Sequence, residues 1–249
     1  SPPEALSTWD PALNRAISRI VRRLAPCLML MYIVSFLDRS NIGFAKQALQ
    51  QSEGISESVY ALGAGLFFIS YSLCGFPSNL ILHKVGAKKW LALLMGCWGM
   101  VSMATMFVSG ATSFYLLRLL LGVFEAGFFP GAILYLTYWF PNRVRGRVLG
   151  LFYLGVPLAL IVGGPLSGLL LEIHPLFGLQ SWQWMFLVEG FMAVVLGLFA
   201  FWYLDNRPSN ASWLSTEEKQ ALVMQWRLRK RSGALSGLQS FSPCSAIFE

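Results

Sequence analysis

Apolar residues along the chain gather into six blocks, at about 24–47, 59–82, 90–108, 113–139, 148–171 and 184–204, parted by short stretches rich in Gly, Pro, Lys and Arg. Each block is long enough to cross a hydrocarbon core of about 30 Å at about 1.5 Å of rise per residue. The pattern predicts an all-α membrane protein, a bundle of six transmembrane helices. Residues 1–23 read as a polar lead with a basic end, and 205–249 as a polar connector. Within the connector, Ser215-Thr216-Glu217-Glu218 has the spacing of a capping box and predicts a helix over 216–231. Leu222, Val223 and Trp226, set against Arg227 and Arg229, would let that helix lie on anionic lipid. A connecting helix between two domains is the favoured reading.

Composition agrees with the blocks. The chain is 55% hydrophobic and 12% charged, against about 25% charged residues in a soluble domain. The net charge of +7 is a topology signal, because the basic residues alternate. Arg15, Arg19, Arg22 and Arg23 precede the first span, and Lys84, Lys88 and Lys89 lie between the second and third. Arg143, Arg145 and Arg147 lie between the fourth and fifth, and six more follow the sixth, from Arg207 to Arg231. The intervening connections, near 49–57, 109–112 and 172–183, carry no Lys or Arg. Positive connections stay in the cytoplasm, so both ends of the bundle are expected inside. A nucleic-acid surface would gather this charge on one face. Cys27, Cys74, Cys97 and Cys244 show no ligand spacing with His and read as small apolar residues. His83 and His174 fall in connections. The start shows no cleavable signal peptide, so the first span would target the chain.

Charge inside the spans is the candidate chemistry. Asp38 and Arg39 stand side by side in the first span, and Arg118 and Glu125 in the fourth. At the centre of a membrane helix such residues cost about 2.5–3.5 kcal/mol each on insertion scales, so they mark ion and solute pathways. Arg118 and Glu125 are two turns apart and share a face, with Gly122 between them. Helical rise puts Asp38 roughly 21 Å in from the cytoplasmic side, Arg118 roughly 8 Å from the outer side and Glu125 roughly 18 Å from it. Asp38 and Arg118 are then expected at one level. Two readings follow. The four charges either fasten the helices as buried ion pairs, a poor stabiliser, or bind an organic anion and protons. An arginine beside a carboxylate holds its negative charge in place. An anionic substrate that occupies the arginine loosens that hold, so proton and substrate affinities rise together. By depth, Glu172 and Glu189 are expected near the outer surface. In the fifth span, Gly164 and Gly168 have the spacing that lets helices approach closely, and Pro157, Pro165 and Gly155 suggest a helix that bends. Gly127, Pro130 and Gly131 suggest the same for the fourth.

Phe36-Leu37-Asp38-Arg39-Ser40-Asn41-Ile42-Gly43-Phe44-Ala45, the run from Pro77 to Trp90, the run from Arg118 to Gly131, and Trp182-Gln183-Trp184-Met185-Phe186-Leu187-Val188-Glu189-Gly190 together resemble the major facilitator superfamily, and within it the anion:cation symporter family. The style is that of bacterial sugar-acid carriers, over about residues 20–231. The resemblance implies one half, the N-terminal six helices, of a twelve-helix fold in a bacterial inner membrane. Substrate would lie between the two halves, with alternating access by rocking. It implies proton-coupled transport of a small organic anion, with the proton as the coupling ion and no other cofactor. By position, Asp38 and Glu125 would carry protons. Arg39, Arg118 and Asn41 would meet substrate. Lys84, Gly86, Lys88 and Lys89 fit the superfamily's cytoplasmic gate motif, although Asn79 and His83 replace its first Gly and its acid. Gly155, Gly164, Pro165 and Gly168 fit part of its glycine-proline packing motif, with Leu160 where another Gly would stand. The alternative is a six-helix fragment or membrane interaction protein without transport of its own. No nucleophile–base pair or metal cluster at membrane depth suggests an enzyme.

Overall fold

A computed structural model describes residues 10–240, with side chains from 10 to 228. Cys244 and the side chains of Arg229, Lys230 and Arg231 lie outside the described residues. Among the described residues nine α-helices follow in order: α1 (Pro11–Glu53), α2 (Glu57–Val85), α3 (Ala87–Ala104), α4 (Gly110–Ala126), α5 (Phe128–Trp139), α6 (Asn142–Tyr153), α7 (Gly155–Leu171), α8 (Ser181–Tyr203) and α9 (Thr216–Ser240). Six stretches are long and apolar enough to cross a membrane: α1, α2, α3 with its 3-10 extension to Phe107, α4 with α5, α6 with α7, and α8. The six predicted spans are therefore present, two of them as broken helices. The breaks fall after Ala126, at Gly127, and after Tyr153, at Leu154. A Cβ at Gly127 would run into Ser78 of α2 and meet Leu94 of α3 at 2.9 Å, so the break coincides with a close approach of both helices.

The main departure from expectation is α1, which is helical from Pro11 rather than from about residue 24. Asp10 caps it by accepting a bond from Ala12 N at 2.9 Å, with Pro11 at the first helical position. Ala12, Leu13, Ala16 and Ile20 form a buried stripe at helical spacing, which gives the polar lead a face to pack. The helix ends at Gly54, whose φ of 63° is the left-handed conformation glycine takes without strain. At its start α9 shows the predicted capping box: Ser215 N donates to Glu218 Oε2 at 2.9 Å, and Glu218 N to Ser215 Oγ at 3.3 Å. Glu218 also accepts from Arg19 at 3.2 Å, and so ties α9 to α1. Beside it Trp213 stacks on Trp139 with ring centroids 5.7 Å apart. Leu222 is buried there, whereas Val223 and Trp226 are exposed.

In the bundle α3 lies along α8, α2 along α4, and α1 against both α7 and α8. The buried apolar residues form two clusters. The larger takes α1 from Leu13 to Val34 and includes α9's Leu222; the smaller takes α1 from Ile42 to Leu49, with Phe114, Trp182 and Met185. Between them the buried face of α1 turns polar, at Ser35, Asp38 and Asn41.

Candidate functional site

Asp38 and Arg39 are about 100° apart on α1, so they leave the helix in different directions. Arg39 faces α2 and α4. Its Nε and Nη2 both donate to Glu125 Oε2, at 3.3 Å each. Its guanidinium also lies 4.9 Å from the Tyr71 ring centre and 5.7 Å from that of Phe67. Arg118 packs on the same Phe67 ring, at 4.6 Å. Phe67 is brought here by Gly122, where an added Cβ would run into Ser70 and into the Phe67 carbonyl of α2. The room at Gly122 is thus filled by a neighbouring helix. Two guanidiniums therefore converge on one ring and one carboxylate, an excess of positive charge. Glu125 is fully buried, whereas the Arg39 side chain is 26% exposed. Glu125 Oε1 and Arg118 Nε have no hydrogen-bond partner. Stacked beside the cluster, Tyr32, Phe129 and Phe152 join α1, α5 and α6 with ring separations of 4.7–6.0 Å.

Asp38 faces the interior instead. It is 2% exposed and accepts a bond from Ser102 Oγ of α3 at 2.9 Å. Asp38 Oδ2 is unpaired, with the Trp98 indole close enough to interact but not aligned for an ordinary hydrogen bond. Of the four membrane charges, then, only Arg39 and Glu125 form a direct pair; Asp38 does not join Arg118, although depth put them at one level. Asn41, expected at the substrate, is fully buried one turn beyond Asp38. Glu189, expected near the outer end of its span, points into the bundle with 0% exposure and accepts from Ser167 Oγ of α7 at 3.2 Å. The signal was present in the sequence: Trp182, Met185, Glu189, Ala193, Gly197 and Ala200 recur at three- and four-residue spacing, and all are buried. Glu172 is exposed, as expected.

The other candidates fall elsewhere. Gly86 makes the α2–α3 turn at φ 97°. There Lys88 N donates to Asn206 Oδ1 at 3.1 Å and Lys88 Nζ lies 5.5 Å from the Phe201 ring centre, while Lys84 and Lys89 are exposed. His83 meets the Tyr138 hydroxyl at 3.1 Å. Gly155 packs on α1, where a Cβ would stand 2.9 Å from Tyr32, and Gly163 does the same against Leu37 at 2.8 Å. Gly164 and Gly168 have no atom within 4 Å of such a Cβ, because they lie round α7 from the face that meets α1, and Pro165 is exposed beside them. The close packing of α7 within this unit thus runs through Gly155 and Gly163. Among the described residues no His, Cys, Asp or Glu group is arranged to hold a metal.

Comparison with known proteins agrees with this architecture. The chain is 52% identical over 209 residues to a putative tartrate transporter of Agrobacterium vitis, covering 84% of this chain and 46% of that protein. It is 48% identical over 213 residues to the inner membrane transport protein RhmT of Escherichia coli, covering 86% and 50%. It spans about half the length of these curated relatives. Among solved structures, it matches the inward-facing, occupied bacterial homologue of the human lysosomal transporter Spinster with a TM-score of 0.66 at 20% identity, over 74% of this chain and 44% of that one. Residues 28–248 match the Major Facilitator Superfamily, and the chain belongs to it.

Proposed function

We propose that this chain forms one wall of a proton-coupled symporter for a small organic anion such as a sugar acid or a dicarboxylate, working by alternating access in a bacterial inner membrane with both ends of the bundle cytoplasmic. The observation that carries this reading is the pair of guanidiniums, Arg39 and Arg118, held on Phe67 with Glu125 as their one carboxylate. An anionic substrate would satisfy the excess charge and take Arg39 from Glu125, which then accepts a proton. Asp38, one residue away but turned inward, is the second proton carrier. Asn41 sits behind this cluster and supports the acids rather than the substrate. The relatives' names favour an organic acid, tartrate being a dicarboxylate. The alternation of basic connections supports the orientation, and the Gly86 turn with Lys84, Lys88 and Lys89 is assigned to the cytoplasmic gate.

The test uses the full-length product of the gene, reconstituted in vesicles, with tartrate, other sugar acids, small di- and tricarboxylates and neutral sugars at two pH values. Uptake of an acid driven by an inward proton gradient, and its loss in Asp38→Asn, is expected. Uptake of neutral sugars alone would overturn the anion assignment, and normal coupled uptake by Asp38→Asn would remove the role given to Asp38.

A further inference from the structure

The interior of the bundle holds a second acid that the proposed mechanism does not use. Glu189 of α8 has no exposure, and among the described residues no Lys, Arg or His is bonded to it. The groups that face it are Ser167 from α7, and Asn41 and Asp38 from α1. From α3 come the Gly99 carbonyl and Met103, which pack against the adjoining Gly190. Asn41 lies close enough to the Glu189 carboxyl to interact, yet both its amide atoms and Glu189 Oε2 lack a hydrogen bond of ordinary geometry. Asp38 Oδ2 is unpaired as well. Asp38, Asn41 and Glu189 thus form a track of unsatisfied polar atoms between the two apolar clusters, running from Asp38 toward the end of the bundle where the α7–α8 connection lies.

A purely structural origin explains this track poorly. An idle buried amide keeps the full penalty of leaving water, so an apolar residue at position 41 would serve packing better. An ionised carboxylate without a cation costs far more, so the free energy at Glu189 turns on whether its proton is bound. From these contacts we propose that Glu189 is a third proton-carrying carboxyl of the transport unit, its proton occupancy linked to that of Asp38 across the Asn41 amide. When Asp38 gives up its proton, Glu189 takes one up, and no bond other than O–H is made or broken. The track is enclosed by α1, α3, α7 and α8, so it does not depend on what packs against the arginine side. It rests on the proposed proton coupling but not on the identity of the anion.

Glu189→Gln is the discriminating variant, because its amide oxygen still accepts from Ser167 while the side chain can no longer take a proton. Infrared spectra of the purified full-length protein across a pH series should show a titrating carboxylic-acid C=O component that disappears in Glu189→Gln, and a different one that disappears in Asp38→Asn. In vesicles, Glu189→Gln should lose most proton-driven uptake and shift its pH profile, while substrate exchange without net proton movement continues and thermal melting stays near that of the parent. An unchanged carboxylic-acid spectrum in Glu189→Gln, or a pH profile that superimposes on the parent's, overturns the proposal. The infrared reading needs no substrate. A parent that transports no organic anion therefore removes the substrate assignment and leaves the proton-carrying role of Glu189 to be decided by the spectra.

Discussion

Asp38 and Arg39 are neighbours in the chain and opposites in their surroundings. On the Arg39 side, cations outnumber the acid: one guanidinium holds Glu125, aromatic rings shield the pair, and a second arginine lies in reach. On the Asp38 side, two carboxyls and an amide share a buried space with hydroxyls and no bonded cation among the described residues. The first arrangement suits binding of an anion from a half-open face. The second suits a particle with no side-chain volume, because only a proton fits where nothing else can enter. One helix serves both by placing consecutive residues about 100° apart.

This contrast can be broken at the bonded side first. Arg39→Ala leaves Glu125 buried and without its bonded cation, and should destabilise the bundle by about 3 kcal/mol, the low end for a broken buried pair because Arg118 remains near. Unfolding in detergent measures it, and Arg39→Met combined with Glu125→Gln should recover most of the loss. Asp38→Asn, by contrast, should change stability by less than about 1 kcal/mol, since an amide oxygen can still accept from Ser102. Equal losses for Arg39→Ala and Asp38→Asn would erase the distinction between the two sides. Next in size, Gly122→Leu should cost about 1–3 kcal/mol by forcing α2 from α4. It should also weaken substrate binding, because Phe67 moves with α2. Glu218→Ala, remote from both clusters, should cost about 1 kcal/mol through its lost cap and leave the arginine site unchanged. Gly168→Ala, in open space on α7, should be neutral or stabilise by about 0.5 kcal/mol. A large loss there would show that this face is occupied in the full protein.

Much of this architecture was legible in the sequence. Hydrophobic runs located all six spans, and the glycines and prolines at 127–131 and near 155 marked the two broken ones. The Ser215–Glu218 box opened α9 where its spacing required. Linear depth worked less well. It tells how far a residue lies from a surface, not which way it points: it puts Asp38 and Arg118 at one level but does not show that Asp38 turns to Ser102 instead. Distance from the helix end puts Glu189 near the outer end of its span but does not show that it points inward; its burial comes from the small residues Gly190, Ala193 and Gly197, which draw α3 and α8 together. Of the glycines that stud α7, Gly155 and Gly163 face α1 and Gly164 and Gly168 do not, a division that spacing alone does not reveal.

The bond from Arg19 to Glu218 joins residues 199 positions apart. A ribosome makes the first turns of α1 before any of the six spans is complete and their partner only after all six have been threaded into the membrane. At about 5–20 residues per second, those turns wait at least about ten seconds for the carboxylate that fastens them. The last step in assembling this unit is therefore closure of its earliest segment, and an insertion error in any span between would be registered there, as a first helix left without its clasp.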